Sequence, residues 1–143
     1  MGEPQGEHSL SQQGFLAGVF DLFHVGHLDV LERARQACDR LVVGVLTDEW
    51  AMDAWGARPF VPLVERVQIL QHLRAVDEVV VIDDVDVQLL KGRLVFAADV
   101  DGVLGADDLN GVPGLHELPD VRMSSSTILR AAIDQRQSRS SVA

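Results

Sequence analysis

The chain has 143 residues, of which 47% are hydrophobic, and its formal net charge at pH 7 is -10. A chain of this length predicts one domain, and its hydrophobic content excludes a disordered protein. The acidic balance argues against non-specific binding of nucleic acid and against attachment to an anionic membrane surface, since both need a basic face.

The two ends of the chain differ in composition from its middle. Residues 1–13 are polar and acidic, and residues 136–143 are polar and rich in serine. We therefore expect a disordered lead-in over 1–13, one folded domain over 14–135 and a flexible tail over 136–143. The start of the chain lacks the basic and apolar stretches of a signal peptide, which favours the cytoplasm.

Two further features of the sequence concern membranes and thiol chemistry. No apolar run approaches the roughly 20 residues that a membrane-spanning helix needs. Cys38 is the one cysteine, so no disulfide can form within the chain. We interpret it as a small buried side chain, which fits a reducing compartment.

The first half of the chain predicts alternating strands and helices. The apolar run Phe15 to Val19 predicts a strand, and residues 26–38 predict an amphipathic helix. Arg40 to Leu46 is almost continuously apolar, as in a strand that is covered on both faces. The segment from Thr47 to Phe60 is expected to be a long loop.

The second half continues the alternation and completes the predicted fold. Its elements are expected to be a helix that starts at Pro62, a strand over 79–82, a helix over 84–94, a weak strand over 101–104, a short strand over 115–118, and a helix that Ser124 caps and that runs to about Asp134. This order predicts an α/β protein with a Rossmann-like, doubly wound fold. Its five-stranded sheet would be mostly parallel, with helices on both faces.

A histidine pair lies where the first predicted strand passes into the first predicted helix. His24-Val25-Gly26-His27 follows the strand directly, and this kind of junction is where open α/β sheets bind ligands. The start of a helix offers free N–H groups that suit phosphate, and Gly26 lets a ligand approach the backbone. The pattern therefore predicts a polyphosphate pocket with two imidazole donors.

The same residues resemble a known family. Gly18-Val19-Phe20-Asp21 followed by the histidine pair looks like the signature of the small cytidylyltransferase-like nucleotidyltransferases. Further matching segments follow in the family's order: Leu46 through Glu49, Gly56 through Pro59, Pro62 through Arg66, Arg74 through Val79, Gly105 through Asp108, and Ser124 through Ile128. The resemblance covers about residues 15–134, so the domain over 14–135 would be a nucleotidyltransferase domain. It is closest to the bacterial glycerol-3-phosphate cytidylyltransferases, and similar motifs occur in heptose-phosphate nucleotidyltransferases and archaeal FAD synthetases.

This resemblance implies an activity and its partners. The enzyme would transfer a nucleotidyl group, CMP from CTP in the closest relatives, to a phosphorylated small molecule such as glycerol-3-phosphate and release pyrophosphate. Mg²⁺ would be held mainly by the nucleotide phosphates, with no metal ligands of the protein's own. A homodimer with Arg74 to Val79 as its contact region is also implied, with no nucleic-acid partner and no membrane insertion.

The resemblance also assigns the site residues. His24 and His27 would donate hydrogen bonds to the triphosphate, and the Arg66 guanidinium would grip a phosphate. Asp21 is expected to brace the histidine loop rather than to bind a metal. The residues expected to bind nucleotide or substrate are Gly18, Val19, Phe20, Asp21, Gly26, Arg58, Gly105, Asp107, Asp108, Arg122, Ser124, Ser125, Ser126 and Thr127.

The sequence departs from the family in one loop and leaves alternatives open. The family has a lysine before the arginine-bearing helix, but Trp55 stands there, and Lys91 in another segment is the one lysine in the chain. Arg58 is a candidate replacement, and Arg122 a candidate for the family's later arginine. The alternatives are an adenylyltransferase of the same superfamily, a weak or inactive nucleotide-binding relative, and a scaffold with a relic site.

Overall fold

The computed structural model describes residues 12–119. Its strands are β1 (Gln13–Gly18), β2 (Arg40–Leu46), β3 (Glu78–Ile82), β4 (Leu94–Ala97) and β5 (Leu115–Glu117). Its helices are α1 (Val25–Gln36), α2 (Asp48–Trp55), α3 (Leu63–Gln71) and α4 (Val87–Leu90). No helix in this part of the chain has both the length and the apolar character needed to cross a membrane.

The five strands form one sheet in the order β3-β2-β1-β4-β5, and all neighbouring strands are parallel. The predicted α/β, Rossmann-like class is therefore confirmed. The chain runs outward from β1 in one direction through β2 and β3, and then returns to pair β4 with the other edge of β1. This reversal opens a crevice at the carboxyl end of β1, where such sheets bind ligands.

Two apolar layers cover the sheet, one on each face. Alternate residues of β1 divide between them: Leu16 packs with Val30 and Leu31 of α1, whereas Phe15 packs with Ala51 of α2 on the opposite face. Residues one apart on a strand point to opposite faces, so both faces of β1 are apolar and buried. Helices on both faces, as the sequence predicted, follow from this pattern.

Cys38 lies in the layer beside α1. Its side chain is buried, and its Sγ lies 3.3 Å from the carbonyl oxygen of Ala34. Burial raises the pKa of the Cys38 thiol, which disfavours the reactive thiolate. Its interpretation as a small buried side chain is confirmed.

The predicted loop from Thr47 to Phe60 is wrong, because its first half forms α2. The hydroxyl of Thr47 accepts a hydrogen bond from the N–H of Trp50 at 3.2 Å and so caps the helix. Gly56, with φ at 74°, ends the helix in the left-handed conformation, and its N–H donates to the Met52 carbonyl. Both capping signals were present in the sequence.

The prediction also failed between residues 84 and 104. The expected helix is only the single turn α4, after which Gly92 adopts a φ of 76°. The fourth strand is Leu94–Ala97, whose first three residues pair with Gly14 to Leu16 of β1, and not Asp101 to Leu104. Residues 101–104 instead form a turn that crosses the end of β1 through an antiparallel bridge between Gly18 and Val103.

The other predicted elements in the described range agree with the structure to within two residues at nearly every boundary. The helix predicted from Ser124 lies outside the described residues, as do the expected lead-in up to residue 11 and the tail over 136–143. The domain boundaries therefore stay predictions.

Gly44 provides a test of the packing between β2 and its neighbours. A Cβ atom there would lie 2.6 Å from Cζ of Phe15 and 2.9 Å from Cδ1 of Ile82. Overpacking of this kind costs about 1–3 kcal/mol, so we expect Gly44→Ala to lower the free energy of unfolding by that amount in urea denaturation. Gly105→Ala is the control, because its nearest contact would be an ordinary 3.7 Å. Equal losses in both variants would contradict this account.

Candidate active site

The segment between β1 and α1 is held in a strained conformation. Phe20 and Leu22 have φ angles of 55° and 50°. These angles lie in the left-handed region, which costs a residue other than glycine about 1–2 kcal/mol. Between them, the Asp21 carboxylate accepts hydrogen bonds from the N–H groups of Phe60 and Val61, both at 2.9 Å. Asp21 thus has the bracing role that the sequence predicted, and it fixes this segment to the chain ahead of α3.

His24 caps α1 with its own side chain. Its Nδ1 accepts a hydrogen bond from the N–H of Gly26 at 3.0 Å, so Nδ1 carries no hydrogen. The ring hydrogen is therefore on Nε2, which donates to Oδ1 of Asp101 at 3.0 Å. The backbone of α1 thereby holds His24 as a neutral donor that points away from the helix.

His27 is held in the same tautomer. Its Nδ1 accepts from the N–H of His24 at 3.2 Å, and its Nε2 lies 2.7 Å from the carbonyl oxygen of Asp101, which can only accept. The side chain is fully buried, and that burial lowers the pKa of His27. The two rings stack with their centroids 4.0 Å apart.

Asp101 is a site residue that sequence reasoning missed. It was assigned to a strand, but it accepts from both histidines, by its carboxylate and by its carbonyl. Asp101-Gly102 is a turn signal that could have placed it in a loop. No local pattern could have shown its contacts, because 77 residues separate it from His24.

His24, His27 and Asp101 also lie close enough together to hold a metal ion. Their hydrogen bonds argue against it. A histidine that binds a metal donates its other ring N–H to a partner, whereas both Nδ1 atoms here accept backbone N–H groups. Each Nε2 keeps its hydrogen and has no free lone pair, so this donor set does not fit a resident metal.

The Arg66 guanidinium, predicted to grip a phosphate, contacts oxygen atoms of the protein. Its side chain is fully buried at the carboxyl ends of the strands. Nη1 donates to the carbonyl oxygens of Val19 and Leu46 at 2.8 and 2.9 Å, Nε donates to that of Val61 at 3.0 Å, and Nη2 contacts the Asp48 carboxylate. In this conformation the guanidinium joins β1, β2 and α2, and its donors face protein oxygens.

The loop that lacks the family lysine contains one exposed cation. The Arg58 side chain is 69% exposed, and its Nη1 lies 3.8 Å from Oδ2 of Asp48. Trp55, which stands in the lysine's place, ends α2 and is half exposed beside Trp50. Asp48 therefore lies between the buried Arg66 and the exposed Arg58.

Three predicted binding residues, Gly18, Val19 and Gly26, make contacts within the protein through their backbone atoms. A Cβ atom on Gly18 would lie 2.6 Å from the carbonyl oxygen of Gly102, and the Val19 N–H donates to that oxygen at 2.7 Å. The N–H of Gly26 is held by His24. The absent side chain of Gly18 thus makes room for the turn that carries Asp101 rather than for a ligand.

A cavity of about 700 Å³ opens at the carboxyl ends of β4 and β5, and its lining includes Val103, which pairs with Gly18. Four carboxylates line it: Asp99, Asp107, Asp108 and Glu117. Oδ2 of Asp108 accepts from the N–H of Gly105 at 2.9 Å, so Asp108 also stabilises the turn that begins at Gly105. The lining contains no basic side chain among the described residues, so it suits hydroxyl and amino groups rather than phosphates.

The remaining predicted binding residues, which are Arg122, Ser124, Ser125, Ser126 and Thr127, lie outside the described residues.

Comparison with known proteins supports the sequence resemblance. The family model described as "Cytidylyltransferase-like" matches residues 15–131, which is most of the chain. This chain belongs to the cytidylyltransferase-like family. The matched region begins within β1 and continues past β5, so it includes the histidine pair, Arg66 and the turn that carries Asp101.

Curated relatives and a solved structure give similar results. The chain is 38% identical over 122 residues to the bifunctional protein HldE of Caulobacter vibrioides and 39% identical over 128 residues to that of Acidiphilium cryptum. These matches cover 80% and 82% of this chain but only 25% and 26% of the relatives. The lipopolysaccharide core biosynthesis protein from Thermoplasma volcanium GSS1 matches with a TM-score of 0.66 and 19% identity over 78% of this chain and 99% of that one. This last match shows that the cytidylyltransferase-like chain shares its fold.

The buried Arg66 of this family member provides a test of stability. We expect Arg66→Met to lower the free energy of unfolding by about 3 kcal/mol, because two buried carbonyls and a carboxylate lose their donor. Arg33→Met is the control in the same urea titration, since it removes only a surface pair with Asp29 and should cost less than about 1 kcal/mol. Similar losses would show that Arg66 does not hold the strand ends together.

His27 makes stability depend on pH. Burial lowers its pKa below the ordinary 6.5, so below that pH the unfolded chain binds a proton that the folded chain refuses. We expect the free energy of unfolding to fall as the pH drops from 6.5 towards the folded pKa. His27→Gln should make this part of the pH profile flatter, and His72→Gln, at an exposed position, is the control. An unchanged slope in His27→Gln would contradict the assignment.

Proposed function

We propose that the protein is a nucleotidyltransferase that joins the nucleotidyl group of a nucleoside triphosphate to a phosphorylated small molecule and releases pyrophosphate. One observation carries this proposal. The backbone at the start of α1 holds His24 as a neutral Nε2–H donor, with His27 stacked against it, where the sheet opens its crevice. Oriented donors that need no reorganisation are what a developing phosphate charge requires.

The reaction follows from this arrangement. A phosphate oxygen of the acceptor attacks the α-phosphorus in line, the new P–O bond forms, and the bond to the bridging oxygen of pyrophosphate breaks. Negative charge builds up on the departing pyrophosphate. His24 would stabilise it with its Nε2–H, since its present partner is an exposed carboxylate that can move. Buried His27 keeps its bond to the Asp101 carbonyl and positions His24 by stacking against it.

The cavity at the carboxyl ends of β4 and β5, lined by Val100 and Val103 on either side of Asp101 in the chain, is the proposed site of the nucleoside. Carboxylates of Asp99 and Asp107 can accept hydrogen bonds from ribose hydroxyls or from an exocyclic amine. Cytosine and adenine both present such an amine. Because the protein's own donor set does not fit a resident metal, Mg²⁺ would arrive on the nucleotide phosphates as part of the substrate.

The resemblance to glycerol-3-phosphate cytidylyltransferases supports CTP and glycerol-3-phosphate as substrates. The second candidate is adenylyl transfer to a sugar phosphate. It is supported by the resemblance to heptose-phosphate nucleotidyltransferases and by the similarity to HldE, a bifunctional protein of which this chain matches about a quarter. A cytoplasmic homodimer with contacts over 74–79 belongs to the same proposal.

A pyrophosphate-release assay tests the function. CTP and ATP, each with Mg²⁺, are offered with glycerol-3-phosphate, a heptose phosphate and other phosphorylated small molecules. We expect release with one nucleotide and one class of acceptor. His24→Ala should lower the rate by at least about 100-fold, because removing one preorganised donor costs that much.

His72→Ala is the matched control, because it removes an exposed imidazole at the end of α3. It should leave the rate unchanged. Nucleotide binding by calorimetry with no release for any pair would contradict the transferase and favour a nucleotide sensor that lacks the loop lysine. If the protein neither binds a nucleotide nor releases pyrophosphate, that result would favour a scaffold.

A further inference from the structure

The Asp101 carboxylate accepts the hydrogen bond of the His24 Nε2–H, which is the donor that the proposed function needs. Oδ1 of Asp101 lies 3.0 Å from Nε2 of His24. The His24 side chain is only 9% exposed, whereas the Asp101 side chain is 69% exposed. A mobile anion from the protein thus sits on a nearly buried donor, in the position where a phosphate oxygen would accept.

The two acceptors must compete. A neutral imidazole in this tautomer has one N–H, so the Nε2–H of His24 serves one strong acceptor at a time. A carboxylate oxygen and a phosphate oxygen are both anionic acceptors and make the same charge-assisted bond. His27 does not take part in this exchange, because its Nε2–H is bound to a main-chain carbonyl.

The turn that carries Asp101 is fixed, although the side chain is exposed. The N–H of Val19 donates to the Gly102 carbonyl at 2.7 Å, and the N–H of Leu104 donates to the Ala17 carbonyl at 3.0 Å. These bonds, together with that of His27, tie the backbone of 101–104 to β1. Release of His24 therefore needs only rotation of the Asp101 side chain into water.

We propose that Asp101 is an internal competing anion that holds the His24 donor until the phosphates of an incoming nucleotide displace it. This inference rests on the proposed function, since it concerns the same donor. Asp101 would weaken binding of every phosphate ligand. The loss of affinity would be largest for a ligand with one phosphate, because a triphosphate has more charge and more acceptor oxygens with which to displace Asp101.

Calorimetric affinities of variants test the proposal. Asp101→Ala should bind Mg-ATP or Mg-CTP about fivefold more tightly than the parent chain, as expected for the release of one hydrogen bond of typical net strength. Asp101→Asn keeps an acceptor oxygen without the charge, so its affinity should lie between the two. The control Asp83→Ala removes one exposed charge at the same edge of the sheet, away from the histidines, and should change the affinity less than twofold.

A double-mutant cycle separates competition for His24 from general repulsion. In a His24→Ala background, Asp101→Ala should no longer tighten binding, because the contested donor is absent. An equal gain in that background would overturn the proposal in favour of charge repulsion alone. Weaker binding by Asp101→Ala, or a change no larger than that of Asp83→Ala, would also overturn it.

Inorganic tripolyphosphate distinguishes failure of this inference from failure of the proposed function. It offers the competing oxygens without a base or a ribose. If no variant binds a nucleotide, the proposed function fails, and the same affinity series with tripolyphosphate then decides the role of Asp101. Tighter tripolyphosphate binding by Asp101→Ala, lost in the His24→Ala background, would support competition, and its absence would overturn it.

Discussion

The buried guanidinium of Arg66 holds together the part of the fold on which the site is built. Three elements end or begin around it, and each supplies an oxygen: β1 through Val19, β2 through Leu46 and α2 through Asp48. Parallel strands end with carbonyl groups that no sheet neighbour satisfies, and a buried carbonyl without a donor costs stability. One planar cation with several N–H groups resolves this for two strands at once, and lysine could not reproduce that geometry.

The proposed function would require the chain to bind phosphates with little positive charge. Its formal net charge is -10, and of the two arginines around Asp48, Arg58 is exposed and Arg66 is buried with its donors already bound to protein oxygens. In the proposed function, the neutral Nε2–H donor of His24 would therefore contact the phosphates, with His27 stacked against it. The helix backbone sets both imidazole tautomers through their Nδ1 atoms, so no proton has to be lost or gained before the rings can donate. Preorganised dipoles of this kind keep their strength in a site from which water is excluded.

Sequence patterns predicted the elements whose signals are local. Arg40 to Leu46 was predicted with its observed bounds, because a strand covered on both faces is apolar at nearly every position. The histidine pair was placed correctly at a strand–helix junction, because the apolar strand before it and the amphipathic helix after it are also local signals. The prediction placed the fourth strand at residues 101–104 and missed the short apolar run Leu94 to Ala97. This run forms β4 because it pairs with β1, and only tertiary contacts decide that.

The site itself shows why residue types alone give an incomplete account. Arg66 and Asp101 each have side chains suited to a ligand, yet both are engaged by distant parts of the same chain. Arg66 donates to carbonyl groups that it contacts only because its side chain is buried. Packing, rather than residue type, therefore determines which atoms it binds. Asp101 reaches His24 because Gly18 has no side chain to keep the turn away from β1. Gly18, which the family resemblance listed among the nucleotide-binding residues, instead lets the turn bring a carboxylate of the protein onto the donor that a phosphate would use.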